Sequence, residues 1–150
     1  MITIWNFIVK KNELNCGTFI KAILQDTNAS SALFIGNRPP KSQLLKGIPH
    51  LYLLEKHLCT GKKFEKLKTK LKHLPDDVYL SFDLDVMDVQ AIKTAWDQGT
   101  LTIPEIMQCI EIIKQHKNII GADINGYIGP PDIFPDRSLY LKIANSILLS

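Results

Sequence analysis

The run "VYLSFDLDVMD", residues 78 to 88, constrains this chain more than any other. Val78, Tyr79, Leu80 and Phe82 suit the interior of a sheet, yet Asp83 and Asp85 follow at once. A buried charge is costly unless it is paired or binds a metal. Open α/β sheets place ligands beyond the carboxyl ends of their strands. Residues two apart on a strand point to one side, so the two carboxylates are expected to converge there. Convergent carboxylates suit a hard divalent cation such as Mg²⁺ or Mn²⁺. The plainer alternative is that one aspartate caps a turn and the other pairs with a lysine.

The rest of the chain alternates strand and helix patterns. Residues 2–9 are β-branched and aromatic, and 32–35 form a compact apolar run stopped by "GNRPP". Residues 50–54, "HLYLL", suit a third strand or a helical turn. Asn15 caps a short helix with Phe19, Ile20, Ile23 and Leu24 as its stripe. A Lys-rich helix spans 60–73, and Thr102 with Glu105 forms a capping box for the next. Ile103, Ile106, Met107, Ile110 and Ile113 give that helix its buried stripe, and Lys114, His116 and Lys117 suit its carboxyl end. Residues 118–124 form another strand and 135–149 a closing helix, with Pro135 in its first turn. The pattern predicts one α/β domain over 1–150, with a mainly parallel sheet flanked by helices. The strands at 78–83 and 118–124 should be parallel neighbours, with 103–116 as their crossover helix.

With 45% hydrophobic and 22% charged residues the composition is that of a globular domain. A net charge of +3 is too small to argue for nucleic acid. Lys62, Lys63, Lys66, Lys68, Lys70 and Lys72 lie opposite Phe64, Leu67, Leu71 and Leu74, as a solvated helix face. Cys16, Cys59 and Cys109 lie far apart, with no metal-binding spacing, which argues for reduced thiols in a cytoplasmic setting. The apolar run at the N-terminus precedes its lysines, the reverse of a signal peptide. No segment reaches the length of a membrane span.

"SFDLDVMD" resembles the Ser-apolar-Asp-apolar-Asp signature of the arginase/agmatinase/formiminoglutamase family, the ureohydrolases. "ALFIGNRPP" is similar to the strand and Gly-x-Arg loop that precede that signature, and "NIIGADINGY" to a later strand. "KTAWDQGTLTIPE" is similar to a loop in some bacterial arginase-like proteins. The resemblance covers roughly residues 30 to 150 and implies part of an arginase-like three-layer fold. It also implies a binuclear manganese centre that activates water for attack on a guanidinium-type carbon, with Asp83 and Asp85 among its ligands. Asp97 and Asp123 become candidates for touching substrate or supporting the metal ligands.

The departures from the family are as informative. Its upstream Gly-Gly-Asp-His and Asp-x-His-x-Asp segments, which supply the other metal ligands, have no counterpart, as though the chain starts after them. Its substrate-binding Glu falls where Asn125, Gly126 and Tyr127 stand. Of the four histidines, His50 and His57 are seven apart and can share a helix face, while His73 and His116 end helices. The expectation is a truncated or split relative, resembling the C-terminal part of the fold. It should bind Mn²⁺ weakly and be inactive alone, and it offers a sheet edge for self-association or a complementing chain.

Two other readings stand beside it. A non-catalytic domain needs no metal at all. "FDLDVMD" also resembles the first motif of haloacid-dehalogenase-type phosphatases, although only 65 residues follow Asp85. The Trp96-Asp97-Gln98-Gly99 loop should lie beyond the same sheet edge as the acidic pair, unless it merely caps the next helix.

Overall fold

A computed structural model describes residues 2–3, 20, 23–24, 27–37, 48–55, 64–94, 98–126 and 137–149. Among these residues five strands form one sheet: β1 Ile2–Thr3, β2 Ala32–Asn37, β3 Leu51–Glu55, β4 Asp77–Asp83 and β5 Asn118–Asn125. Every pairing is parallel and the spatial order is β3-β2-β1-β4-β5. The expected α/β class and parallel sheet are therefore observed. Residues 51–55 take the strand option, pairing in register with β2 from Ala32↔Leu51 to Ile35↔Leu54, with a shift before Asn37↔Glu55.

The helices are α1 Phe64–Leu71, α2 Ile103–His116 and α3 Arg137–Leu148. Phe64, Leu67 and Leu71 are the buried side of α1. The Lys face between them is solvated, as its spacing predicts. The helix ends at Leu71, two residues short of the expected His73, and residues 60–63 lie outside the described set. Ile106, Cys109, Ile110, Ile112 and Ile113 bury α2. Leu139, Ile143 and Ile147 do the same for α3. These stripes meet Leu33, Ile35, Leu54, Val78, Leu80 and Phe82 in one core. A smaller cluster, Ile20, Ala32 and Phe34, packs with Leu24, Leu51 and Leu53. Since Ala32 and Phe34 alternate with Leu33 and Ile35, it lies on the opposite face of the sheet. Ile20, Ile23 and Leu24 are helical there, whereas Asn15 and Phe19 lie outside the described residues.

Two basic side chains close helix ends, where carbonyls lack partners within the helix. Lys117 Nζ donates to Leu74 O at 2.8 Å, in the turn after α1. Lys114 Nζ donates to Ser146 O at 3.1 Å and also to Leu149 O, at the end of α3. At the start of α2, Glu105 Oε2 accepts from Thr102 N at 2.7 Å and from Thr102 Oγ1 at 2.8 Å. Among the described residues no helix is long and apolar enough to cross a membrane.

The strand order has one consequence for function. From β1 the chain builds outward through β2 to β3, then crosses back to place β4 on β1's other side. The β1/β4 boundary is therefore the point where strand order reverses, the usual site of a ligand crevice in open α/β sheets.

Candidate metal site

Burial along β4 explains how carboxylates reach that crevice. Val78, Leu80 and Phe82 point into the helix-covered core, each 1% exposed. The intervening side chains of Tyr79, Ser81 and Asp83 take the other face by alternation. Asp83 is the last residue of the strand, at its carboxyl end.

Asp85 does not continue the strand, which corrects the reading that both acids share one side of it. It lies in a 3₁₀ turn, Leu84–Val86, whose N-cap is Asp83. Asp83 Oδ1 accepts from Asp85 N at 2.9 Å. The turn-cap alternative thus describes part of what Asp83 does. The two carboxyl groups are nevertheless only 1% and 3% exposed as residues, among the few buried polar side chains described. Gly126, at φ +91°, follows β5 directly over Asp83. A Cβ at that position would stand 2.8 Å from Asp83 Oδ1, so only glycine leaves the carboxylate room.

Asp123 is one step further down the sheet. The register pairs Asp83 with Asn125 and Ser81 with Asp123. Ser81 Oγ donates to Asp123 Oδ1 at 2.8 Å. Asn125 Nδ2 donates to the same oxygen, and to Ser81 Oγ at 3.4 Å. Tyr79 completes the group. Its phenol is pushed above the usual value by a hydrogen bond to Asp123, then by burial and by the negative charge of Asp123. Asp123 therefore sits in a hydrogen-bonded row beside the acidic pair. Sequence reading missed Ser81 and Asn125 in that row, though the Ser of "SFDLD" was in plain view.

The loop after the acidic turn returns to it. Gly99 N donates to Asp85 O at 2.6 Å, Leu101 N to Val86 O at 3.1 Å, and Asp88 N to Leu101 O at 2.9 Å. The Gln98-Gly99 part of the Trp-Asp-Gln-Gly run thus lies at the acidic pair, where it was expected. Trp96 and Asp97 themselves lie outside the described residues.

The histidines do not gather here. His50 is exposed with φ 60°. His73 stacks on Tyr52 with ring centroids 5.2 Å apart. His116 Nδ1 lies 2.8 Å from Ile112 O, and His57 is outside the described residues. Among the described residues no group of three or more His, Cys, Asp or Glu is placed to hold a metal ion. By their oxygen chemistry Asp83 and Asp85 suit a hard cation, and the described residues add no third such donor.

Comparison with known families finds a match over most of the chain. The family model described as the Arginase family covers residues 4–141. The match begins 26 residues before the region that carries the motif resemblance, and so takes in the residues that follow β1 in sequence. Comparison with the curated proteins finds no match.

Proposed function

The chain belongs to the arginase family, and from that premise we propose that it is a metal-dependent hydrolase domain of the guanidino or amidino C–N class. The observation that carries this reading is the pair of buried carboxylates, Asp83 and Asp85, at the strand-order reversal of a parallel sheet. Asp83 and Asp85 would hold manganese through their carboxylate oxygens. Bound there, a pair of such ions supplies an activated water for attack on the substrate carbon. The protein's own part is to bury the two acids and to hold Asp83 through the Asp85 N–H. It also keeps Asp123 ordered beside them through Ser81 and Asn125. Asp123 serves as a supporting residue on this reading, and Asp97 remains the candidate for substrate contact.

The described ligand set is short of histidine, and metal affinity grows with ligand number and charge. The isolated chain should therefore bind Mn²⁺ in roughly the high micromolar range or weaker, and release no urea from arginine or agmatine. Titration calorimetry with Mn²⁺, on the protein and on Asp83→Asn/Asp85→Asn, tests this. The expected result is a weak isotherm that the double substitution abolishes. An isotherm untouched by the double substitution would refute the site.

A second reading has its own observation. Among the described residues β5 ends the sheet, and Ile120 on it is 66% exposed; at the end of α3, Leu148 is 74% and Leu149 65% exposed. An open strand edge invites strand addition. We infer a complementing polypeptide whose strand pairs with β5 and brings histidine ligands to Asp83 and Asp85. On either reading the compartment is cytoplasmic, in keeping with Cys109 buried as a thiol. Gel filtration with the product of a neighbouring gene would show a heteromer, and monomer under all conditions would refute this second reading.

A further inference from the structure

Asp85 belongs to no α-helix or strand, only to a single 3₁₀ turn, so something must fix where its carboxylate points. The turn that carries it is tied to Asp83 on one side. On the other side it is tied to residues fourteen or more positions later. Gly99 N reaches Asp85 O at 2.6 Å and Leu101 N reaches Val86 O at 3.1 Å. Met87 and Leu101 then form a parallel bridge, both wholly buried. The approach at Gly99 is so close that a Cβ there would lie 1.9 Å from Val86 O and 2.4 Å from its carbonyl carbon. These are backbone atoms, so no side-chain movement can make the room.

The returning segment is itself held by Gln98. Its Nε2 donates to Ile92 O at 2.6 Å and its Oε1 accepts from Thr94 N at 3.2 Å. One side chain thus closes the neck between the outgoing and returning parts of the loop, just before Gly99 docks. Nothing in an ordinary turn requires this. A loop that only capped α2 needs Thr102 and Glu105, which make their own contacts three residues on.

We propose that Gly99 and Gln98 are positioning residues for the metal carboxylate of Asp85, acting through the Asp85 backbone carbonyl and the loop neck. This inference rests on the metal reading of Asp83 and Asp85. Gly99 allows the docking, and Gln98 keeps the docked segment from peeling away. Metal affinity then depends on two residues that never touch the metal.

The test uses the full chain loaded with Mn²⁺ alone, read by calorimetry and by the electron paramagnetic resonance of the bound ion. Gly99→Ala and Gln98→Met are compared with Leu67→Ala, which opens a core gap on α1 and removes none of the hydrogen bonds made by Gln98 and Gly99. Both positioning variants should weaken Mn²⁺ binding by roughly ten- to a hundredfold, the usual loss when a supporting partner of a metal ligand is removed. They should also change the line shape of the residual bound signal. Leu67→Ala should lower the melting temperature while leaving affinity and line shape as in the parent. Gln98→Met carries no steric conflict, so it decides the matter if Gly99→Ala does not fold. Parental affinity and line shape in folded Gln98→Met, or an equal loss in Leu67→Ala, would overturn the inference alone. Absence of a Mn²⁺ signal in the parent chain would overturn the metal reading and this inference with it.

Discussion

At Tyr79 a phenol faces a carboxylate across the β4–β5 pair, and that neighbour holds the phenol's proton more tightly. The hydrogen bond to Asp123 favours the neutral phenol, so its folded value lies above the ordinary 10.0. The folded state therefore holds this proton more tightly than the unfolded chain does. The resulting stabilisation is complete below the unfolded value and is lost as pH rises through the folded one. Denaturant titrations above pH 10 should show stability falling more steeply in the parent than in Tyr79→Phe. Equal slopes would contradict the pairing. Lys117 offers a second test at this scale. Its side chain is 6% exposed and caps Leu74 O, whereas its other partner, Asp76, is fully exposed at 3.4 Å. The value of Lys117 should come from the cap rather than the ion pair. Lys117→Met should cost about 1.5–3 kcal/mol, the range for a hydrogen bond from a charged group. Asp76→Asn should leave the chemical denaturation midpoint where it is.

Among the elements, α2 was the most legible in the sequence, and the reason is local. Thr102 and Glu105 write its start in side-chain chemistry, and Ile106, Ile110 and Ile113 write its buried face at helical spacing. Glu105→Ala should cost about 1 kcal/mol through the lost cap. Ile110→Ala, at a residue 2% exposed, should cost about 2–5 kcal/mol through the cavity it leaves. Urea melts that ranked them in reverse would contradict this account of the helix. The acidic turn was legible only in part. "SFDLD" announces a strand running into acid, but not that the strand stops at Asp83 and a 3₁₀ turn carries Asp85. That bend is fixed by Gly99 and Leu101, and no local periodicity reports a contact across so long a loop. The row of Ser81, Asp123 and Asn125 was hidden for the same reason, since it exists only in the register of β4 on β5.

For the whole molecule, the parallel β4–β5 pair with α2 between them in sequence followed from the alternation of patterns. The place of β1 did not. Two described residues, Ile2 and Thr3, set it between β2 and β4, with Ile2 opposite Leu80 and Thr3 opposite Ser81. A long-range pairing of this kind leaves no mark in composition. It alters the functional picture, because the residues that follow β1 in sequence fall within the family match and β1 borders the acidic strand. That segment reads Ile4-Trp5-Asn6-Phe7-Ile8-Val9-Lys10, without Asp or His. On the proposed reading Asp83 and Asp85 seat manganese at the β1/β4 reversal, with no third His, Cys, Asp or Glu placed beside them among the described residues. Diffraction at the manganese absorption edge, from crystals grown in a manganese salt, tests it most directly. The account predicts an anomalous peak within about 2.0–2.6 Å of oxygens of both Asp83 and Asp85, the range of hard-cation coordination. A peak elsewhere, or none at saturating manganese, would contradict it.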